Sequence, residues 1–208
     1  MNDSIENYIK NYTKESFYYR YLNLFLRQGN FDYFRILSSH LSKFIYYLYG
    51  LREIKSGVKY NLTLYRRMDI PQNDFNVYKN SIGRVICYPS FTSTSCDING
   101  FIKKNTLLII NSNNSKSVVS IGNYSVYEDE KEYLFLPFSF FKITDVKVGQ
   151  GTYSNPHKIY LIAMYSEKPI EEMFLHFFEK YSDSLDSEGL DILKLNNNEI
   201  MFNNAYYC

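Results

Sequence analysis

Two carboxylates separated by one residue, Glu130 and Glu132, stand at the head of the apolar run Tyr133-Leu134-Phe135-Leu136-Pro137-Phe138. Bulk and Tyr, Leu and Phe content make that run a buried β-strand. Side chains repeat every two residues on extended backbone, so both carboxylates are expected on one side, roughly 7 Å apart at the backbone. Two such anions repel each other unless a cation lies between them. The arrangement costs stability and suits chemistry on a cationic or cation-like species. An ordinary solvated turn has the same composition, and these residues alone do not decide between the two.

Two other stretches carry usable groups. Arg66 closes the apolar-aromatic stretch Leu62-Thr63-Leu64-Tyr65. A strand-end guanidinium serves as a surface charge or ion-pair partner, and its planar fork of donors is also well shaped to grip phosphate. The second is the hydroxyl-rich run Pro89-Ser90-Phe91-Thr92-Ser93-Thr94-Ser95. Threonine and serine alternate in edge strands for their β propensity. Near a carboxylate, a serine hydroxyl instead donates a hydrogen bond that fixes the carboxylate's orientation.

The elements that must position these groups follow from periodicity. Helices are expected over about residues 1–56, including Lys14 to Arg27 and Asp32 to Leu51, where Phe34, Leu37, Leu41, Phe44 and Leu48 recur at helical spacing. His40 lies in the second helix without a motif partner and reads as structural. From about residue 57 the period changes to that of strands. These are expected at Tyr60–Met68, Gly83–Tyr88, Phe91–Ser95, Thr106–Ile110, Val118–Ile121, Glu132–Phe138, Phe140–Val148 and Lys158–Tyr165, with turn-rich connections such as Asn111-Ser112-Asn113-Asn114. Helices followed by closely spaced strands imply an α+β fold with an antiparallel sheet. One domain over residues 1–168 is expected, then an extension over 169–208 that is helical from Pro169 to Tyr181 and loop beyond.

Composition narrows the function classes. A hydrophobic content of 45% in 208 residues supports a substantial core and argues against disorder. A net charge of +1 argues against nucleic-acid binding as the main activity. Cys87, Cys96 and Cys208 form neither a disulfide framework nor a zinc spacing, which fits a reducing compartment. The polar N-terminus is no secretory signal, and no apolar run approaches the ~20 residues that span a bilayer. A cytoplasmic monomer is therefore expected.

In order and spacing, Leu64-Tyr65-Arg66, Phe91-Thr92-Ser93-Thr94-Ser95 and Tyr127-x-x-Glu130-x-Glu132 together resemble the Arg-Ser-Glu class of mono-ADP-ribosyltransferases, which includes iota-toxin-like bacterial enzymes and vertebrate arginine-specific ectoenzymes. The resemblance spans about residues 30 to 165. It implies the two-sheet β core of that fold, with N-terminal helices packed on it, and NAD as co-substrate with no metal. Arg66 matches the arginine that contacts NAD phosphate. Ser93 matches the first serine of Ser-Thr-Ser, which supports the catalytic glutamate, with Thr94 and Ser95 completing the cofactor-binding set. Glu132 matches the catalytic glutamate. Glu130 matches the residue associated with arginine as acceptor, and Tyr127 the substrate-recognition aromatic.

Two positions depart from the family pattern. Arg67 stands where the family carries glycine, giving a more crowded and basic pocket mouth among the cofactor-binding residues. The segment after Ser95 is short, and Phe101 is the candidate ring to stack on nicotinamide, with a core role as the alternative.

The resemblance implies transfer of ADP-ribose from NAD to an exposed arginine of a target protein. NAD hydrolysis on the same fold, a silent binding module and transfer to another acceptor are the rival readings.

Overall fold

The computed structural model describes residues 61–122 and 131–164, the short strand Glu199–Met201, and scattered helical positions between Asn7 and Arg27. The expected helices over Asp32–Leu51 and Pro169–Tyr181 lie outside the described residues. At the N-terminus Asn7, Lys10, Thr13, Arg20, Asn23, Leu24, Leu26 and Arg27 are helical, and among them Thr13, Asn23 and Leu26 are buried. No helix among the described residues is long and apolar enough to cross a membrane.

The strands are β1 (Thr63–Met68), β2 (Val85–Tyr88), β3 (Thr92–Ser95), β4 (Thr106–Asn111), β5 (Val118–Ser120), β6 (Glu132–Phe135), β7 (Ser139–Lys147), β8 (His157–Ala163) and β9 (Glu199–Met201). One helix, α1 (Gln72–Asn80), follows β1. The hydrogen-bonded order is β5-β6-β3-β1-β4-β8-β7-β2-β9. Eight strands thus arise within a few residues of where alternation and turn residues put them. Glu132–Phe138 ends three residues early, because Pro137 has no N–H to give a ladder and Phe138 turns to φ 58°.

Two features of the expected sheet are corrected. It is mixed rather than antiparallel, since β4 pairs with β8 and β2 with β9 in parallel. The long excursion through β5, β6 and β7 returns the chain to β4 in the same direction, which a tight hairpin cannot do. The expected two sheets are also one continuous hydrogen-bonded order. β1 pairs with β4 along its whole length but meets β3 at the Tyr65–Ser95 register pair, which joins the two halves. The tail, read as loop beyond Tyr181, contributes β9 against β2.

The core lies on the face of β1 that carries Leu64 and Met68. Ile86 and Tyr88 of β2, Leu108 and Ile110 of β4, Phe135 of β6 and Ile159 and Leu161 of β8 join them there. Helix α1 closes this layer with Phe75 and Tyr78, three residues apart and so on one helical face. Asp74 in its first turn and Lys79 in its last complement the helix dipole. Phe135 meets Phe141 edge-on with ring centroids 5.0 Å apart, so ring packing fills much of the space that a chain without Trp must fill.

The β1–α1 turn is pinned by one side chain. Asn105 accepts from the Ile70 N–H at 2.9 Å and donates to the Ile70 carbonyl at 3.0 Å, while its own carbonyl accepts from the His157 N–H. Asp69 accepts from the Asn105 N–H at 3.1 Å and pairs with Lys104 at 2.9 Å. Burial works to raise the Asp69 pKa, but these partners outweigh it and hold the carboxyl below its ordinary value. Asn105→Ala leaves the Ile70 amide without its partner, so chemical denaturation is expected to show a loss of about 1–3 kcal/mol.

His157 opens β8 nearly buried, its ring stacked on Phe75 with centroids 4.0 Å apart. Its Nδ1 accepts from the Gly149 N–H at 3.1 Å, which requires the neutral ring. Gly151, at φ +66°, packs so closely that a Cβ there would sit 2.8 Å from Nε2. Burial lowers the His157 pKa below its usual 6.5. The unfolded chain therefore binds more protons than the native one as pH falls through that value. The contribution of His157 is complete above its unfolded pKa and is lost on acidification. Thermal melts from pH 7.5 to 5.5 are expected to show a falling Tm, and His157→Gln to start lower and fall less steeply.

Candidate functional site

Glu132 begins β6 and is 5% exposed. The antiparallel β3–β6 ladder sets it directly opposite Ser95, with Tyr133 opposite Thr94 and Leu134 opposite Ser93. Paired residues project to the same face, so Ser93, Ser95 and Glu132 share one side of this strand pair. Ser95 is thus the cross-strand neighbour of the glutamate, and Ser93 is the diagonal one. Thr94 turns the other way and locks the ladder, its hydroxyl donating to the Tyr133 carbonyl at 2.7 Å.

The turn entering β6 is tightly built. Lys131 adopts φ 46°, a left-handed conformation that costs a non-glycine residue roughly 1–2 kcal/mol. The Ile121 N–H donates to the Glu132 carbonyl at 3.0 Å. Gly122 lies so near that a Cβ would stand 3.2 Å from the Glu132 nitrogen. The expectation that Glu130 and Glu132 point to the same side falls partly outside the described residues. It needs extended backbone through the intervening residue, and Lys131 is left-handed. Glu130 and Tyr127 themselves lie outside the described residues.

Arg66 stands on β1 between Leu64 and Met68, half-buried, and its Nη1 donates to the Ser93 carbonyl at 2.8 Å. The Tyr65–Ser95 joint brings the arginine strand against the hydroxyl strand, and β6 brings the glutamate to its other side. Arg66, Ser93, Ser95 and Glu132 thus come from three neighbouring strands. Arg67 projects to the opposite side of β1. Its Nε makes a long contact of 3.4 Å with the Ile98 carbonyl, and its Nη1 is buried with no hydrogen-bond acceptor.

The β3–β4 connection wraps Ser95. The Asp97 N–H donates to the Ser95 hydroxyl at 2.9 Å, and the Gly100 N–H donates to the Asp97 carbonyl at 3.0 Å. A Cβ at Gly100 would stand 2.8 Å from the Ser95 Cβ, so glycine lets the turn close on the serine. Phe101 follows, half-buried, while Ile102 beside it is 83% exposed. Cys96 is exposed and Cys87 buried, and neither is in a disulfide.

Sequence reading missed a buried pair of phenols. Tyr78 of α1 and Tyr88 of β2 are both buried, with hydroxyls 2.8 Å apart. The signal for α1 was present, because Pro71, Asp74, Phe75 and Tyr78 are the start, first-turn acid and apolar face of a short helix.

The sequence profile described as NAD:arginine ADP-ribosyltransferase matches residues 5–165, well over half of the chain. The chain belongs to that family. The ADP-ribosyltransferase fold is shared with solved toxin structures of low sequence identity. Plx2a from Paenibacillus larvae, an ADP-ribosyltransferase toxin, aligns with TM-score 0.61 at 16% identity, covering 78% of this chain and 86% of that one. The C3 exoenzyme of Clostridium limosum aligns with TM-score 0.61 at 15% identity, covering 78% and 85%. The Vis ADP-ribosyltransferase of Vibrio splendidus, in complex with agmatine, aligns with TM-score 0.56 at 20% identity, covering 78% and 74%. No match is found among curated protein sequences. Membership makes this an ADP-ribosyltransferase-type enzyme that uses NAD as its donor substrate.

Proposed function

We propose that this ADP-ribosyltransferase moves ADP-ribose from NAD to an arginine side chain of a target protein and releases nicotinamide. The observation that carries the reading is the register. It sets Glu132 across from the Ser-Thr-Ser strand, while Arg66 grips that strand from its other side.

The chemistry asks little acid catalysis of the protein. As the ribose C1–nitrogen bond breaks, its electron pair passes to the pyridinium ring and nicotinamide leaves neutral. The ribose acquires oxocarbenium character, as in glycoside cleavage. Glu132 would accept a hydrogen bond from the ribose hydroxyl and stabilise the developing charge. Ser93, with Ser95 beside it, would fix the carboxylate. Arg66 would hold the pyrophosphate through its fork of donors. Arg67, on the other side of β1 and so on the face of Ser95, would offer its buried, acceptor-free Nη1 to another anionic oxygen of the dinucleotide. Phe101, half-buried in the β3–β4 connection, would cover the nicotinamide. Glu130 would bind the incoming guanidinium, Tyr127 would pack on it, and the arginine nitrogen would attack C1 from the face opposite to departure.

The Vis complex with agmatine shows a guanidinium compound bound by a protein of this fold, consistent with an arginine acceptor here. On this reading residues 1–168 form the transferase domain, and the 169–208 extension returns β9 to the sheet. The enzyme acts as a monomer without a metal.

The test is incubation of the pure protein with NAD labelled in the ADP-ribose moiety and an arginine-rich protein acceptor. Label on arginine, located by mass spectrometry, is expected. Free ADP-ribose without protein label would replace this reading with NAD hydrolysis, and label on another side chain would change the acceptor.

A further inference from the structure

The strand registers carry the face of Glu132 across the sheet. Glu132 pairs with Ser95, Ser95 with Tyr65, Tyr65 with Ile109, Ile109 with Tyr160 and Tyr160 with Asp145, so these side chains form one cross-strand row on a single face. Two residues along, the adjoining row of the same face runs Arg67, Leu107, Lys158, Lys147. Neighbouring strands lie about 4.8 Å apart, so Lys158 and Lys147 stand roughly 10 and 14 Å from Arg67 at the backbone. Leu107 is buried between Arg67 and Lys158, while Tyr65, Ile109 and Tyr160 are only half-buried, which leaves this face open.

Lys147 and Lys158 are exposed and directly opposite one another. Like charges in that position repel, and among the described residues neither lysine forms an ion pair. Asp145, on the adjoining row, engages one oxygen with the Val146 N–H at 2.8 Å and pairs with neither of them. The Lys147 ammonium lies 5.0 Å from the Tyr160 ring centroid, a contact that orders it and cancels none of its charge. Arg67 adds a third uncompensated cation through its acceptor-free Nη1. The row costs stability and returns none of it within the chain.

We propose that this row is a docking track for an acidic segment of the acceptor protein, so that the arginine this enzyme modifies lies beside a cluster of carboxylates. The inference rests on a protein arginine being the acceptor, as in the proposed function.

Length and charge select the occupant. The anionic part of NAD is its pyrophosphate, two phosphates joined through one oxygen, and so compact a group at Arg67 leaves both lysines unmet. An extended peptide advances about 3.3 Å per residue, so about four or five residues span the row and present every second side chain to it. Glu132 on the adjoining row suits a cation and the lysines suit anions. A protein segment with one arginine and several carboxylates complements both rows, and such matching raises encounter rates and rejects wrong partners. Nucleic acid offers no guanidinium, and a net charge of +1 gives the chain no general attraction for it.

The experiment uses NAD labelled in the ADP-ribose moiety and three acceptors: a peptide with one arginine flanked on both sides by aspartates, the same peptide with asparagines, and agmatine. Wild type is compared with the double variant Lys147→Glu/Lys158→Glu, and peptide binding is read in parallel by fluorescence anisotropy. Wild type is expected to bind and label the acidic peptide about 10-fold better than the neutral one, the low end of the enhancement that a charged surface gives. The preference should fade in about 0.5 M salt as screening sets in. The double variant should lose or reverse it, while KM for NAD, agmatine labelling and melting temperature stay as in wild type. Should the charge reversal fail to fold, Lys147→Gln/Lys158→Gln is expected to abolish the preference by the same measurements. Equal handling of both peptides by wild type, or a variant that slows agmatine as much as the acidic peptide, would overturn the docking role and leave the transferase intact. Tighter binding of a single-stranded oligonucleotide than of the acidic peptide would also overturn it, assigning the row to nucleic acid. A wild-type protein that labels neither peptide nor agmatine would overturn the arginine acceptor, and the docking role with it.

Discussion

Glu132→Gln is expected to abolish both nicotinamide release and transfer, lowering kcat by on the order of 10²–10³-fold, the usual loss when a preorganised charge stabiliser is removed. The substitution keeps the shape of the side chain and deletes its charge. Glu132 is 5% exposed at the head of β6, held between Ser95 across the ladder and Gly122 against its backbone. An amide in that position fits without repacking. Removing a charge from a nearly buried site also relieves desolvation, so the melting temperature should hold or rise. KM for NAD should change little, because the carboxylate acts where positive charge develops in the transition state. Parallel measurement of melting temperature, KM and kcat tests all three statements. A variant that keeps wild-type kcat would remove Glu132 from the chemistry and return the acidic segment to the solvated turn that its composition also fits.

What the sequence disclosed about this site is uneven, for identifiable reasons. The strands that carry Glu132, Ser93 and Arg66 were legible in the residue pattern, their grouping came from the resemblance to the family, and the structure sets the three strands side by side. Ser95 as the direct neighbour of Glu132 was not legible, because a ladder register depends on pairing that no local pattern contains. The parallel β4–β8 pair was hidden for the same reason: strand direction is set by the path of the chain between them. The Lys131 turn escaped because lysine carries no signal for positive φ. Glycine or asparagine there would have announced it. Nothing in the sequence singled out Tyr78 and Tyr88 as a pair. Their hydroxyls meet only when α1 and β2 close on one another.

Glu130→Gln should separate the two half-reactions, leaving nicotinamide release from NAD within a few-fold of wild type and reducing arginine modification by on the order of 10²–10⁴-fold, the range for loss of a general base. Water and arginine make different demands on the site. Water meets an oxocarbenium-like ribose without help from a second carboxylate. An arginine guanidinium is protonated at any physiological pH and has no free lone pair to offer. It must be drawn to the site, aligned, and relieved of a proton as the C1–nitrogen bond forms. A carboxylate about 4 Å away in a partly buried setting attracts it by up to about 4 kcal/mol, and an amide supplies neither the attraction nor the base. The ratio of free ADP-ribose to arginine-bound label, followed with labelled NAD, reads the outcome directly. Arginine labelling at the wild-type rate in the Glu130 variant would mean that another group prepares the acceptor. A parallel loss of nicotinamide release would mean that Glu130 belongs with Glu132 in cleaving NAD.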